Sequence, residues 1–246
     1  MNILLNRKTQ RDLTYTRLST VWQMCHSNGI WRDLRAEIDA AAQTTPAKEP
    51  LQKSSGIARS LAPVHALTVS FPEGKGHADQ VTRLALILFD ELASLHQYSK
   101  KEWFLLECAG LLHDIGWAFG QKGHHTQSYT MILNDSTLQI TERERSIIAL
   151  VARYHQKTDP TIDHSVYADL NSNDKKTVQT LSAILRVADG LDYTHTNRIS
   201  GISCSVTEDQ VLCQLECQGD LGVERERAIQ KSNLFEQVFG KRLSIT

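Results

Sequence analysis

Long apolar runs are missing from this chain of 246 residues. No stretch approaches the roughly 18 to 20 apolar residues that a membrane span requires. At the start, only Ile3, Leu4 and Leu5 form an apolar patch before charged residues take over, which is too short for a signal-peptide core. An excess of charge is missing as well. The formal net charge is −1, whereas a general nucleic-acid binder carries a basic surplus. The five cysteines are odd in number and include no C-x-x-C pair, which argues against a disulfide frame or a zinc knuckle. Reduced, partly buried thiols are expected instead. Repeats and low-complexity tracts are also absent. These absences predict a cytoplasmic protein with neither a membrane nor a strong nucleic-acid partner, and they leave a homo-oligomer open.

What is present is 41% hydrophobic residues, enough for a core, and an unusual set of histidines. Residues 13–42 predict one or two amphipathic helices broken at Asn28-Gly29, and residues 43–60 read as a linker. After the turn around Gly74 and Gly76, a helix is predicted from His77 to Leu95. Val81, Leu84, Ala85, Leu88 and Leu92 recur there at three- and four-residue steps, with His77 in the first turn of the same face. The next predicted helix, Lys100 to Leu112, carries little polar surface and delivers His113 and Asp114 to the interior. A flexible loop through Gly116, Gly120 and Gly123 follows. His124 and His125 open another helix.

Thr141 and Glu144 form a capping-box pattern at the head of the following helix, whose apolar stripe ends at His155. A polar loop is predicted over residues 159–174. From Lys176 a long helix carries Leu181, Ile184, Leu185 and Ala188, with Asp189 on the same face, where an unpaired carboxylate is expensive. Beyond Arg198 the pattern alternates. Residues around Ile202 to Val206 and Val211 to Cys217 predict a β-hairpin. Residues 222–239 read as helix, and residues 243–245 as a short strand. The fold class is therefore mainly α, with a small C-terminal α+β appendage.

On its own, His113-Asp114 would read as a helix end, with the imidazole on a backbone carbonyl and the carboxylate in water. Five elements, however, each offer a ligand type on a buried side. Imidazole and carboxylate together suit a divalent transition metal.

The order H…HD…H…H…D resembles the HD-domain metal-dependent phosphohydrolases. More closely, five motifs resemble the C-terminal HD domain of the exopolyphosphatase/guanosine-pentaphosphatase (Ppx/GppA) family. They are His77-Ala78, Leu111-Leu112-His113-Asp114-Ile115-Gly116, Gly123-His124-His125, Arg153-Tyr154-His155-Gln156-Lys157 and Leu185-Arg186-Val187-Ala188-Asp189-Gly190-Leu191-Asp192. The resemblance runs from about residue 70 to the end. It implies an HD helical bundle over residues 66–198, an appendage over 199–246 and an N-terminal extension over 1–65.

It also implies that His77, His113, Asp114 and Asp189 hold one metal, and that Asp114 bridges to a second held by His124 and His155. His125 is the substitute for His124, which is preferred because the small Ser128 follows four residues later. The ions would be divalent, with Mn, Fe, Co, Ni, Zn and Mg all open. Two ions lower the pKa of a shared water and neutralise phosphoryl oxygens, so hydrolysis needs no protein nucleophile. Lys157 and Arg186 are the expected phosphate-binding cations, ahead of Lys122, Arg153, Arg198 and His195. Asp192 would orient a ligand. The expected substrate is a phosphorylated small molecule, such as a nucleotide, or polyphosphate.

Two features depart from the family pattern. Full-length members carry exopolyphosphatase chemistry in N-terminal domains of actin-like fold, and the stretch before His77 is too short for those. Trp117 stands where several related HD enzymes carry a lysine, which argues against cyclic-dinucleotide hydrolysis. The rival expectation is a regulatory module that binds guanosine tetraphosphate or polyphosphate without turnover.

Overall fold

Leu84, Leu88, Leu106, Leu112, Ile148, Leu181, Ile184 and Leu185 are fully buried and form the centre of a helical bundle. They come from four helices of the computed structural model, which describes residues 60–72, 74–156 and 158–246. The helices expected over residues 13–42 and all but the last residue of the linker expected over 43–60 lie outside the described residues, as does Lys157.

The chain enters through α1 (Ala62–Ser70) and continues into α2 (Lys75–Glu91) and the single turn α3 (Ala93–His96). Next come α4 (Lys100–Leu112), a 3-10 helix (Ile115–Phe119), α5 (His124–Asn134) and α6 (Glu142–Arg153). A short α7 (Ser165–Ala168) precedes the long α8 (Ser172–Leu191). Helix α4 packs between α2 and α6, and α8 lies across α2 and α6, so the ends of these helices converge.

Local chemistry accounts for the boundaries. Helix α6 has the capping box read from the sequence: Glu144 N donates to Thr141 Oγ1 at 3.2 Å, and Thr141 N donates to the Glu144 carboxylate at 3.1 Å. Helix α4 opens on the same device, with Ser99 and Glu102. Helix α8 begins at Ser172 rather than Lys176, because the Asn171 side chain accepts from Asp174 N at 2.9 Å. The loop expected after Asp114 is not slack. It winds into the 3-10 helix, and Gly116 lies so close to α5 that a Cβ there would stand 2.2 Å from the His124 carbonyl oxygen.

The C-terminal part is the α+β appendage. Strands β1 (Ile199–Val206) and β2 (Gln210–Cys217) form the antiparallel hairpin, and β3 (Arg242–Ile245) adds in parallel to β2, giving the order β1-β2-β3. The segment expected as one helix over 222–239 is two, α9 (Gly222–Gln230) and α10 (Asn233–Phe239), separated at Lys231-Ser232. Both pack on α8. Gln80 Nε2 of α2 donates to the Ile199 carbonyl at 2.8 Å and so ties the hairpin to the bundle. The described cysteines, Cys108, Cys204, Cys213 and Cys217, are free thiols. No described helix is long and apolar enough to cross a membrane.

Candidate metal centre

His113 sits at the C-cap of α4 and is fully buried. Its Nδ1 lies 2.7 Å from the Gly110 carbonyl oxygen. A carbonyl only accepts, so Nδ1 carries the proton and Nε2 is left with a bare lone pair. Among the described residues Nε2 has no hydrogen-bond partner.

The same local device recurs twice. His155, in the turn after α6, donates from Nδ1 to the Ala152 carbonyl at 2.5 Å. His124, at the start of α5, donates from Nδ1 to the Gln121 carbonyl at 2.8 Å. In each case the carbonyl three residues back fixes both the tautomer and the ring direction, so Nε2 points inward. His77, in the first turn of α2, has its Nδ1 2.8 Å from Asp192 Oδ2, so a carboxylate takes the carbonyl's place.

Asp114 lies where these four Nε2 atoms meet. Its Oδ2 is 3.5 Å from His113 Nε2 and 4.0 Å from His77 Nε2. Its Oδ1 is 3.2 Å from His124 Nε2 and 3.5 Å from His155 Nε2. Despite these short distances, Oδ1 makes no hydrogen bond of acceptable geometry. His113 Nε2 and Asp114 Oδ1 are both left buried without a hydrogen-bond partner, an arrangement that a cation relieves. Two ligand groups result, His77 with His113 and Asp114, and Asp114 with His124 and His155, each with its donor atoms within 4.8 Å of one another. Two distinct His/Asp clusters capable of coordinating divalent ions thus share one carboxylate, and the mixed imidazole-nitrogen and carboxylate-oxygen donor set fits such ions.

The electrostatics agree with that fit. Burial opposes ionisation of Asp114, yet the His113 and His124 rings hold its carboxyl well below the usual range. Burial, reinforced by His113, lowers the His155 imidazole to about 3, so the ring stays neutral. Burial also pulls His77 down, but the Asp189 and Asp192 carboxylates outweigh it and raise His77 to about 9. The positive charge on His77 stands where a divalent ion would otherwise offset those acids.

Asp189 ends α8 with Oδ1 3.1 Å from His77 Nε2. It is buried, and Lys231 and His77 keep it ionised against that burial. Asp192, besides holding His77, accepts from Asn197 N at 2.9 Å. His195 stacks on His77 with ring centroids 3.8 Å apart. His125 has its ring 6.5 Å from that of His155 and joins neither ligand group.

Arg186 does not face the cluster. Its Nε donates to the Tyr154 carbonyl at 2.6 Å, Nη2 to the Thr158 carbonyl at 2.6 Å and Nη1 to Asp159 Oδ1 at 2.8 Å. The expected phosphate ligand is instead committed to protein acceptors on either side of His155. Arg198 is bound to Asp220 and Glu224, and Arg153 lies over the Tyr129 ring.

Two neighbours of the site were not assigned from sequence. Gln156 Nε2 is 3.1 Å from His124 Nε2, and Lys231 binds Asp189. Gln156 follows His155 directly, inside a motif already noted. Lys231 carries no spacing signal at all.

The family model described as Ppx/GppA phosphatase, domain III, matches residues 61–237. The chain belongs to the Ppx/GppA phosphatase domain III family. A search of curated proteins finds no match. Membership of the Ppx/GppA family together with two His/Asp clusters supports metal-dependent phosphohydrolysis as the general class of activity.

Proposed function

We propose that this chain hydrolyses a phosphate ester or anhydride of a nucleotide or a related phosphorylated small molecule. The observation that carries this reading is Asp114, whose two oxygens face two separate sets of imidazoles. We assign His77, His113, Asp114 and Asp189 to one ion, and Asp114, His124 and His155 to a second. Such ions activate water near neutral pH and neutralise phosphoryl oxygens.

The chain's own residues supply position and exclusion. The carbonyls of Gly110, Gln121 and Ala152 fix three rings, and Asp192 fixes the fourth. Arg186 braces the turn that carries His155, so we reassign it from substrate binding to positioning. Lys157, two residues beyond His155 in sequence, remains our phosphate-binding candidate. A cleft whose walls include Phe71, Leu111 and Ile115 reaches Asp114, with Lys75 and Asp79 also lining it. In this reading, residues 66–198 form the hydrolytic domain and residues 199–246 serve it.

The test is a phosphate-release screen of metal-loaded protein against nucleotides, cyclic nucleotides, dinucleoside polyphosphates and inorganic polyphosphate. Mn, Fe, Co, Ni, Zn and Mg are supplied in turn. We expect metal-dependent release from at least one nucleotide. Tight nucleotide binding without release under any metal would overturn hydrolysis in favour of a regulatory binding module.

A further inference from the structure

The α+β appendage sends one cation into the site. Lys231 follows α9, and its backbone N–H bonds to the Arg227 and Ala228 carbonyls at 3.1 and 3.2 Å. Its Nζ donates to Asp189 Oδ2, while the other oxygen of that carboxylate faces His77. A close helix crossing makes this reach possible. At Gly190, next to Asp189, a Cβ would stand 2.5 Å from Ala228 Cα, so only glycine lets α9 lie this near to α8. The Lys231 side chain is 23% exposed against 9% for Asp189, so the ammonium approaches from the water side.

Charge balance assigns this ammonium a task. Three carboxylates, those of Asp114, Asp189 and Asp192, lie among the four rings. As ligands the imidazoles are neutral. Two divalent ions therefore already exceed the acids by one unit of charge, and Lys231 raises the excess to two. Its charge repels an incoming cation at Asp189 instead of helping to hold it. That surplus favours an anionic phosphoryl group as the incoming ligand.

We propose that Lys231 is a substrate-binding residue of the metal centre, its ammonium passing from Asp189 to the phosphoryl oxygens of the substrate. This deepens the phosphohydrolase reading and rests on it. The hydrolytic domain is then incomplete without the appendage, because the phosphate-binding charge comes from residues outside the ligand-bearing helices.

The experiment uses the full chain as wild type, Lys231→Met and Lys231→Arg. Mn(II) is titrated calorimetrically into metal-stripped protein, and orthophosphate is then titrated into the Mn-loaded protein. In Lys231→Met we expect Mn(II) affinity equal to or higher than wild type and orthophosphate affinity lower by about tenfold or more, the usual scale for a charged hydrogen bond. Lys231→Arg, which keeps the positive charge, should recover most of the orthophosphate affinity.

If both affinities fall together in Lys231→Met, the lysine is a structural counter-ion and the proposal is overturned. Unchanged orthophosphate affinity overturns it as well, while leaving the phosphohydrolase reading intact. A wild-type protein that holds Mn(II) but binds no orthophosphate overturns both.

Discussion

Both clusters lean on Asp114, so its replacement separates a shared site from two independent ones. In Asp114→Ala we expect loss of the second ion and a fall in turnover beyond the roughly 10- to 100-fold usual for residues that only support ligands. Metal analysis and phosphate release read the two effects, and unchanged turnover would remove Asp114 from the bridging position. His124→Ala should lose metal while His125→Ala keeps it, since His124 Nε2 is 3.2 Å from Asp114 Oδ1 and His125 belongs to neither ligand group. The converging residues were legible because each one ends or begins an apolar stripe of known period. Arg186 was misread for a physical reason. A sequence shows that a cation is near a ligand but not where its donors go, and here they close a turn.

Two elements owe their positions to single contacts that can be cut. In Arg186→Met the carbonyls of Tyr154 and Thr158 lose their donor, at a cost of about 1–3 kcal/mol. Urea unfolding should show that loss, accompanied by weaker metal binding because the same turn carries His155. In Gly116→Ala the new methyl meets backbone of α5, so the helix that begins with His124 must shift, again at about 1–3 kcal/mol. The joint between α2 and α4 holds a pH-sensitive contact. His96 Nε2 donates to the Phe89 carbonyl at 2.7 Å, and its Nδ1 accepts from Tyr98 N at 2.9 Å. Protonation would set a second proton against the Tyr98 N–H, and burial already lowers the ring below its ordinary 6.5. The unfolded chain therefore binds a proton more readily than the folded one. Stability supplied by this joint should be complete above about pH 6.5 and decline below it. The stability difference between pH 7 and pH 5 should be smaller in His96→Gln than in wild type, and an unchanged difference would remove His96 as its source. Helix α1 leaves no amphipathic stripe in the sequence, and the start of α8 depends on the Asn171 cap, which lies ahead of the first stripe-bearing turn.

Across the whole molecule, the groups able to bind ions come from α2, the end of α4, the start of α5 and the turn after α6, so bound metal would act as a clamp on four segments. A ligand that binds only the folded state at 100 times its dissociation constant adds about 2.7 kcal/mol of stability. Chelation should accordingly lower the melting temperature by roughly 5–10 °C for a chain of this size, read by calorimetry with and without EDTA. A melting point indifferent to chelator would deny the clamp. The bundle itself was legible from helical periodicity, and the hairpin from alternation. The link from appendage to site was not, because contacts such as Lys231 with Asp189 are set by how α9 crosses α8 and leave no period in the sequence. The last strand has its own bearing on how the protein should be handled. Residues 242–245 cover one side of β2 through the pairs Gln210–Arg242 to Cys213–Ile245. A fragment cut at residue 237, where the family match stops, would bare a row of unsatisfied amides and carbonyls to other copies. Such a fragment should stick to itself by strand addition, and material prepared that way would report on aggregates rather than on the enzyme.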